Sequence, residues 1–160
     1  MSDPRPAFTT RRATARDAAT LAELRDELFR ELDPAAAARA PAGFAALCAS
    51  QFAALLAGDR ACAWLAQAAD GVPIGTAVLL LFPRLPTPAL PPAREGYLLN
   101  VYTRPAWRGR GVASALVAAA VADARTLGLA RIRLHATAEG EPVYAAAGFR
   151  PRTDEMELRL

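Results

Sequence analysis

The sequence predicts a single mixed α/β domain in which a β-sheet is flanked by helices. Three observations carry that prediction. The chain has 160 residues, the size of one compact domain. Its residues are 53% hydrophobic and 22% charged, a balance that excludes disorder for most of the chain. The apolar pattern also switches between three-and-four spacing and short continuous runs, giving the order β-α-α-β-β-β-α-β-α-β. Thirteen Pro and ten Gly fall without any triplet period, which excludes a collagen-like fibre. There is no internal repeat, so one domain spans residues 1–160, with 1–6 expected to be flexible.

Residues 8–13 read as the first strand, with Asp17 as the N-cap of the helix that follows. Leu21, Leu24, Leu28 and Leu32 recur at helical spacing, and Pro34 ends that helix. The Ala- and Pro-rich stretch 34–43 reads as a connection, in which residues 35–38 can add a helical turn. A second helix carries Phe44, Leu47, Cys48, Phe52, Leu55 and Leu56 on one broad face, and Gly58-Asp59 stops it. Residues 61–68 and 72–82, joined by Ala69-Asp70-Gly71, read as a β-hairpin.

Residues 83–94 hold five Pro in twelve positions. They read either as a stiff surface loop or as a wall over an acceptor site or a dimer contact. A strand over 96–103 follows, then an Ala- and Val-rich helix over 111–127 closed by Gly128. A strand over 130–136, a short helix over 140–147 and a terminal strand over 154–160 complete the chain.

The formal charge is +3 and the sequence pI about 9.4. All 19 basic residues are Arg, and the chain has 40 Ala and no Lys, a bias of the kind a GC-rich coding sequence produces. The arginines are interleaved with acidic or apolar residues and form no run of five, so an Arg-rich nucleic-acid binder is the weakest reading. Cys48 and Cys62 are too few for a disulfide framework or a zinc site, and no metal is expected. The segment Met1-Ser2-Asp3-Pro4-Arg5-Pro6 lacks the apolar core of a signal peptide, and no run of eighteen apolar residues occurs. A cytoplasmic protein without a membrane partner is expected.

The sharpest feature is Arg108-Gly109-Arg110-Gly111-Val112-Ala113, between a strand and the long helix. A turn of such small residues lets backbone N–H groups converge on an anion. The helix dipole places its positive end at the same spot. Pyrophosphate is the natural guest, with Arg108 and Arg110 adding charge at the mouth. A P-loop requires a Lys that this chain lacks. A dinucleotide fingerprint requires Gly or Ala where Ser114 stands and a carboxylate at the end of the next strand, which ends in Leu134-His135-Ala136.

The segment Thr103-Arg-Pro-Ala-Trp-Arg-Gly-Arg-Gly-Val-Ala113 resembles motif A of the GNAT N-acetyltransferase superfamily, which cradles the pyrophosphate of acetyl-CoA. Pro142-Val143-Tyr144-Ala145-Ala146-Ala147-Gly148-Phe149 is similar to a second segment of that family. The resemblance implies a central mixed, mostly antiparallel sheet of six to seven strands with about four helices, splayed at the cofactor strand. It implies acetyl-CoA as co-substrate, held by Arg108, Gly109, Arg110, Gly111, Val112 and Ala113. Backbone amides near Val101 and Thr103 would receive the pantetheine arm. Thr137 stands where the family often carries Asn, and Tyr144 becomes the general acid that protonates the departing thiolate.

Amine acetylation needs more than that acid. A lysine-like amine, with a pKa of about 10.4, is protonated at neutral pH and must lose its proton before it attacks. Glu95, at the start of the strand, is one candidate base and otherwise a solvated loop carboxylate. His135, the one His in the chain, is another and otherwise a structural residue of its strand. Asn100 and Tyr102 are placed to line the acceptor side. Asp154, Glu155 and Glu157 either charge the terminal strand or attract an amine.

Neither cysteine suits an acyl-enzyme route, so direct attack in a ternary complex is expected. The acceptor is a small-molecule or peptide amine: an antibiotic, a polyamine and a protein N-terminus are all open. The alternative is a non-catalytic acyl-CoA-binding regulatory module, which would need the turn but not Tyr144. A homodimer is a family-level expectation.

Overall fold

Strands β1 (Phe8–Arg12), β2 (Ala61–Ala68), β3 (Pro73–Arg84) and β4 (Ala93–Thr103) pair antiparallel in sequence order, and β5 (Ile132–Arg133) joins β4 in parallel. The computed structural model describes residues 7–91, 93–152 and 154–160, so the expectation for residues 1–6 lies outside the described residues. Helices α1 (Ala18–Leu32), α2 (Pro34–Ala38) and α3 (Phe44–Ala57) lie between β1 and β2 in the chain. The parallel step from β4 to β5 requires a crossover, and α4 (Val112–Thr126) supplies it. The short α5 (Glu141–Ala146) follows β5.

Two-residue alternation divides the core between the two faces of the sheet. On β2, Cys62, Trp64 and Ala66 pack with Leu116, Val117 and Ala120 of α4. Ala63 and Leu65, from the same strand, pack with Leu21 and Leu24 of α1 and with Cys48 and Phe52 of α3. Ala120 and Ala124 are buried in α4, so the abundant Ala places that helix close against the sheet. No helix of the described residues is long and apolar enough to cross a membrane.

The helices and the hairpin fall where the periodicity puts them, with local differences. Asp17 precedes α1, but its carboxylate turns back to accept the Thr14 N–H at 2.8 Å and to pair with Arg11 at 2.7 Å. On α3, Leu47 is 55% exposed, because the face that packs on the core carries Phe44, Cys48, Phe52 and Leu56 instead. The Pro-rich stretch is shorter than its composition suggests. Pro83 and Arg84 still pair with Arg94 and Ala93, since Pro at an outer ladder position removes no essential donor.

The largest correction is the terminal strand. Residues 154–160 form no strand, and the sheet has five strands among the described residues rather than six or seven. Met156, Leu158 and Leu160 alternate correctly but stay exposed and are not packed against the sheet. The neighbouring charges pair locally, Arg159 with Glu157 at 2.6 Å. The strand over 130–136 likewise shrinks to Ile132–Arg133.

Gly75 marks the closest approach between β3, β4 and α4. A Cβ there would lie 2.7 Å from the Tyr102 carbonyl oxygen and 3.1 Å and 3.3 Å from Val112 and Leu116 side-chain atoms. The carbonyl belongs to a paired strand and has no room to swing aside. Gly75→Ala should therefore cost about 1–3 kcal/mol, seen as a lower urea midpoint with an unchanged slope. An unchanged midpoint would mean that the strand pair yields at this point.

Candidate active site

The site begins with an irregularity in β4. Val78 faces Leu99 and Thr76 faces Tyr102, so Ala77 stands opposite both Asn100 and Val101. This is a β-bulge. Asn100 absorbs the extra residue with φ +54°, a left-handed conformation that Asn tolerates better than most side chains. On its other edge, β4 pairs with β5 only at Gly96 and Tyr97. Beyond that point the two strands part, and a cleft of about 940 Å³ opens along β4. Its walls are α1, residues 97–103 of β4, the turn before α4, and the segment from His135 to Tyr144.

The turn supplies one end of the cleft. Gly109 and Gly111 have φ of +72° and +80°, which side chains other than Gly adopt at a cost. Gly109, Gly111, Val112 and Ala113 line the opening. Among the described residues, the backbone amides of 109–113 are not taken by backbone carbonyls. They form a cluster of free donors at the start of a fifteen-residue helix, a fit for phosphate oxygens.

Both arginines of the turn make contacts within the protein, and Arg108 also lines the cleft. Arg108 donates from Nε to the Thr103 carbonyl at 3.0 Å and from its terminal nitrogen to Glu31 at 2.5 Å. The Arg110 guanidinium stacks 5.0 Å over the Trp107 ring and does not line the cleft. The backbone amides are thus the donors of the turn that have no protein partner among the described residues.

Glu23, Glu27 and Glu31 form an i, i+4, i+8 ladder on α1 that ties it to the end of β4. Arg104 reaches Glu23 at 2.9 Å and Glu27 at 2.7 Å. Glu31 also accepts the Tyr102 hydroxyl at 2.7 Å. Burial pushes the Glu31 carboxyl upward, but the bonds from Arg108 and Tyr102 outweigh it and hold the group below the usual range. Burial and the Glu31 bond push the Tyr102 phenol well up.

Across the cleft, Tyr144 is half-buried, and its ring packs edge-on to Phe149 at 6.0 Å. Burial raises its phenol above the ordinary value, and its hydroxyl has no hydrogen-bond partner among the described residues. Thr137 lines the cleft and accepts the Gly140 N–H on its hydroxyl at 3.2 Å, opening α5. Val101 and Thr103 also line the cleft. The Thr103 hydroxyl is buried without a partner.

Glu95 is neither a solvated loop carboxylate nor a cleft residue. It is 2% exposed within β4 and is clamped by Arg84 at 2.9 Å, Arg131 at 2.9 Å and Arg133 at 2.8 Å. Burial would raise its carboxyl, yet the bonds from Arg131 and Arg133 hold it below the usual range. His135 lies just past β5, exposed, where it lines the cleft and shares a hydrogen bond with the Tyr97 hydroxyl. Asp154, Glu155 and Glu157 do not line the cleft. Cys48 and Cys62 are buried and also lie outside it. No group of three His, Cys, Asp or Glu among the described residues is placed to hold a metal ion.

Sequence reasoning missed Tyr97, Glu31 and Arg25. Arg25 lines the cleft, stacks 4.7 Å over the Phe29 ring and donates to the Asn100 side-chain oxygen. The available signal was its place on α1, a charge set between Leu24 and Leu28 on the helix face that meets the sheet.

The model of the acetyltransferase (GNAT) family matches residues 19–149. A predicted acetyltransferase from Clostridium acetobutylicum, solved with acetyl-CoA, superposes with TM-score 0.81 at 27% identity, over 95% of this chain and 96% of its own. A GCN5-related N-acetyltransferase from Ralstonia eutropha superposes with TM-score 0.75 at 29% identity, over 96% and 98%. Glucosamine-6-phosphate N-acetyltransferase from Arabidopsis thaliana, at 14% identity and TM-score 0.73 over 95% and 97%, shares the fold. No curated protein matches the sequence.

The position of Glu95 separates a structural role from a chemical one. Glu95→Gln removes the carboxylate that three guanidinium groups surround, and loss of one partner of a buried ion pair costs roughly 3–5 kcal/mol. Thermal and urea midpoints should fall, while turnover per folded molecule stays within about twofold of the parent. A stable variant with little turnover would reassign Glu95 to the chemistry.

Proposed function

The chain belongs to the GNAT acetyltransferase family, and from that premise we propose that it is an N-acetyltransferase. It transfers the acetyl group of acetyl-CoA to a primary amine by direct attack in a ternary complex. The observation that carries this reading is the juxtaposition in one cleft of the free amides of the turn, the open edge of β4 and the unpartnered Tyr144 hydroxyl. Bound acetyl-CoA supplies the acetyl group already activated as a thioester.

The residues divide the remaining work. The amides of 109–113 hold the pyrophosphate, with Thr137 beside the pantetheine arm. A backbone N–H at the bulge, near Val101, donates to the carbonyl oxygen as negative charge develops there. Tyr144, kept protonated by burial, gives its proton to the sulfur as the C–S bond breaks. His135, held by Tyr97 within the same cleft, accepts the amine proton. The acyl group passes to the acceptor without a cysteine intermediate.

Tyr144→Phe should lower kcat by roughly 10²–10³-fold, while acetyl-CoA affinity, read by calorimetry, changes less than about threefold. Thiol release from acetyl-CoA across an amine panel measures the first quantity. Acetyl-CoA binding by the parent without turnover of any amine would favour the regulatory module instead. Equal turnover by parent and variant would remove Tyr144 from the mechanism.

A further inference from the structure

Arg25 is the cleft cation that the fold leaves unneutralised. Among the described residues, Arg104 and Arg108 are matched by Glu23, Glu27 and Glu31, and Arg30 by Asp26. Among the described residues, no salt bridge joins Arg25 to a carboxylate. One of its five N–H donors goes to the Asn100 side-chain oxygen, and the Phe29 ring lies 4.7 Å from its guanidinium carbon. The ring and the amide fix the plane of the guanidinium beside the β4 bulge, with most of its donors unspent. A planar fork held in this way suits a carboxylate, which it binds through two parallel hydrogen bonds.

A second hollow adjoins this point. It has a volume of about 250 Å³ and is lined by apolar residues that include Leu47, Phe52, Leu55, Val78, Leu80 and Leu99. Arg25 and Leu99 line both this hollow and the main cleft. The bulge, the unmatched guanidinium and the apolar hollow thus follow one another along a single path. A polyamine would bring more positive charge to Arg25, and a peptide N-terminus has no carboxylate next to its amine.

On the acetyltransferase reading above, we propose that the acceptor is a free α-amino acid with an apolar side chain. Its carboxylate pairs with Arg25, its side chain enters the hollow, and its amine faces the bulge. An α-amino acid carries amine and carboxylate on one carbon, which matches the adjacency of Asn100, the partner of Arg25, to Val101. In the reaction the amine nitrogen forms a bond to the acetyl carbon as the C–S bond breaks. The ammonium proton leaves to water before attack, and a second proton passes from the attacking nitrogen to the base. The thiolate takes a proton from Tyr144, which regains one from the base through solvent. The products are the N-acetyl amino acid and free CoA.

The test compares thiol release from acetyl-CoA with L-leucine, L-methionine and L-phenylalanine against leucinamide, isoamylamine, glycine and spermidine. The apolar acids should exceed leucinamide and isoamylamine in kcat/KM by roughly 10- to 100-fold, the usual worth of a charge-assisted hydrogen-bonded pair. In Arg25→Gln the ratio of leucine to leucinamide should collapse toward one, chiefly through KM, with acetyl-CoA affinity unchanged by calorimetry. A parent that binds acetyl-CoA but uses the amide or spermidine as well as leucine overturns the proposal and leaves the acetyltransferase reading standing. So does a parent that binds acetyl-CoA and turns over another amine but none of the acids. Turnover of no amine at all overturns both readings in favour of the regulatory module. A parent that binds no acetyl-CoA overturns that reading and this proposal together.

Discussion

Everything in the cleft depends on β4 being hydrogen-bonded along one edge and abandoned on the other. β3 pairs with it from Ala93 to Thr103, but β5 stays for only two residues. Unpaired backbone groups sealed inside a protein cost about 1–3 kcal/mol each, so this edge is tolerable only where water or a ligand reaches it. The cleft is that place. The bulge at Asn100–Val101 adds local twist and changes which backbone groups face the opening. The crossover helix α4 then begins beside the same edge, bringing the free amides of its first turn to meet those of the strand.

Helix α1 closes the opposite side, and its position is set by charge as much as by packing. Leu21 and Leu24 anchor it to the sheet, while Glu23, Glu27 and Glu31 fasten its outer face to Arg104, Arg108 and Tyr102. Each pair is partly exposed and worth little alone. Together they fix the rotation of the helix about its own axis. That rotation determines where Arg25 and Phe29 stand relative to β4. The same ladder occupies Arg108 and leaves Arg25, among the described residues, without a carboxylate partner.

The parts of this arrangement governed by local rules were legible in the sequence. Gly109 and Gly111 announce left-handed backbone just before a helix. Leu21, Leu24 and Leu28 set the buried face of α1. Tyr144, singled out by its motif, lines the cleft. What escaped was set by partners far along the chain. Glu95 looked like a loop carboxylate because Arg133, 38 residues away, had not yet been folded onto it. Arg25 meets Asn100 across 75 residues and Arg108 meets Glu31 across 77. The terminal strand failed for the complementary reason. Its alternation at Met156, Leu158 and Leu160 was sound, but alternation specifies a strand only when a surface exists to receive it.

The cations that pair with the α1 ladder are all guanidinium groups, since the chain has no Lys. Arginine keeps its charge beyond pH 12, and its bonds to Glu27 and Glu31 push Arg104 and Arg108 higher still. Tyr102, pushed up in the same network, also holds its proton in alkali. Amine acceptors of the kind proposed would therefore lose their protons in mildly alkaline solution while the charges that hold the cleft walls stay untouched. A lysine ladder would begin to titrate alongside those amines. Arginine separates the ionisation of the guest from that of its host.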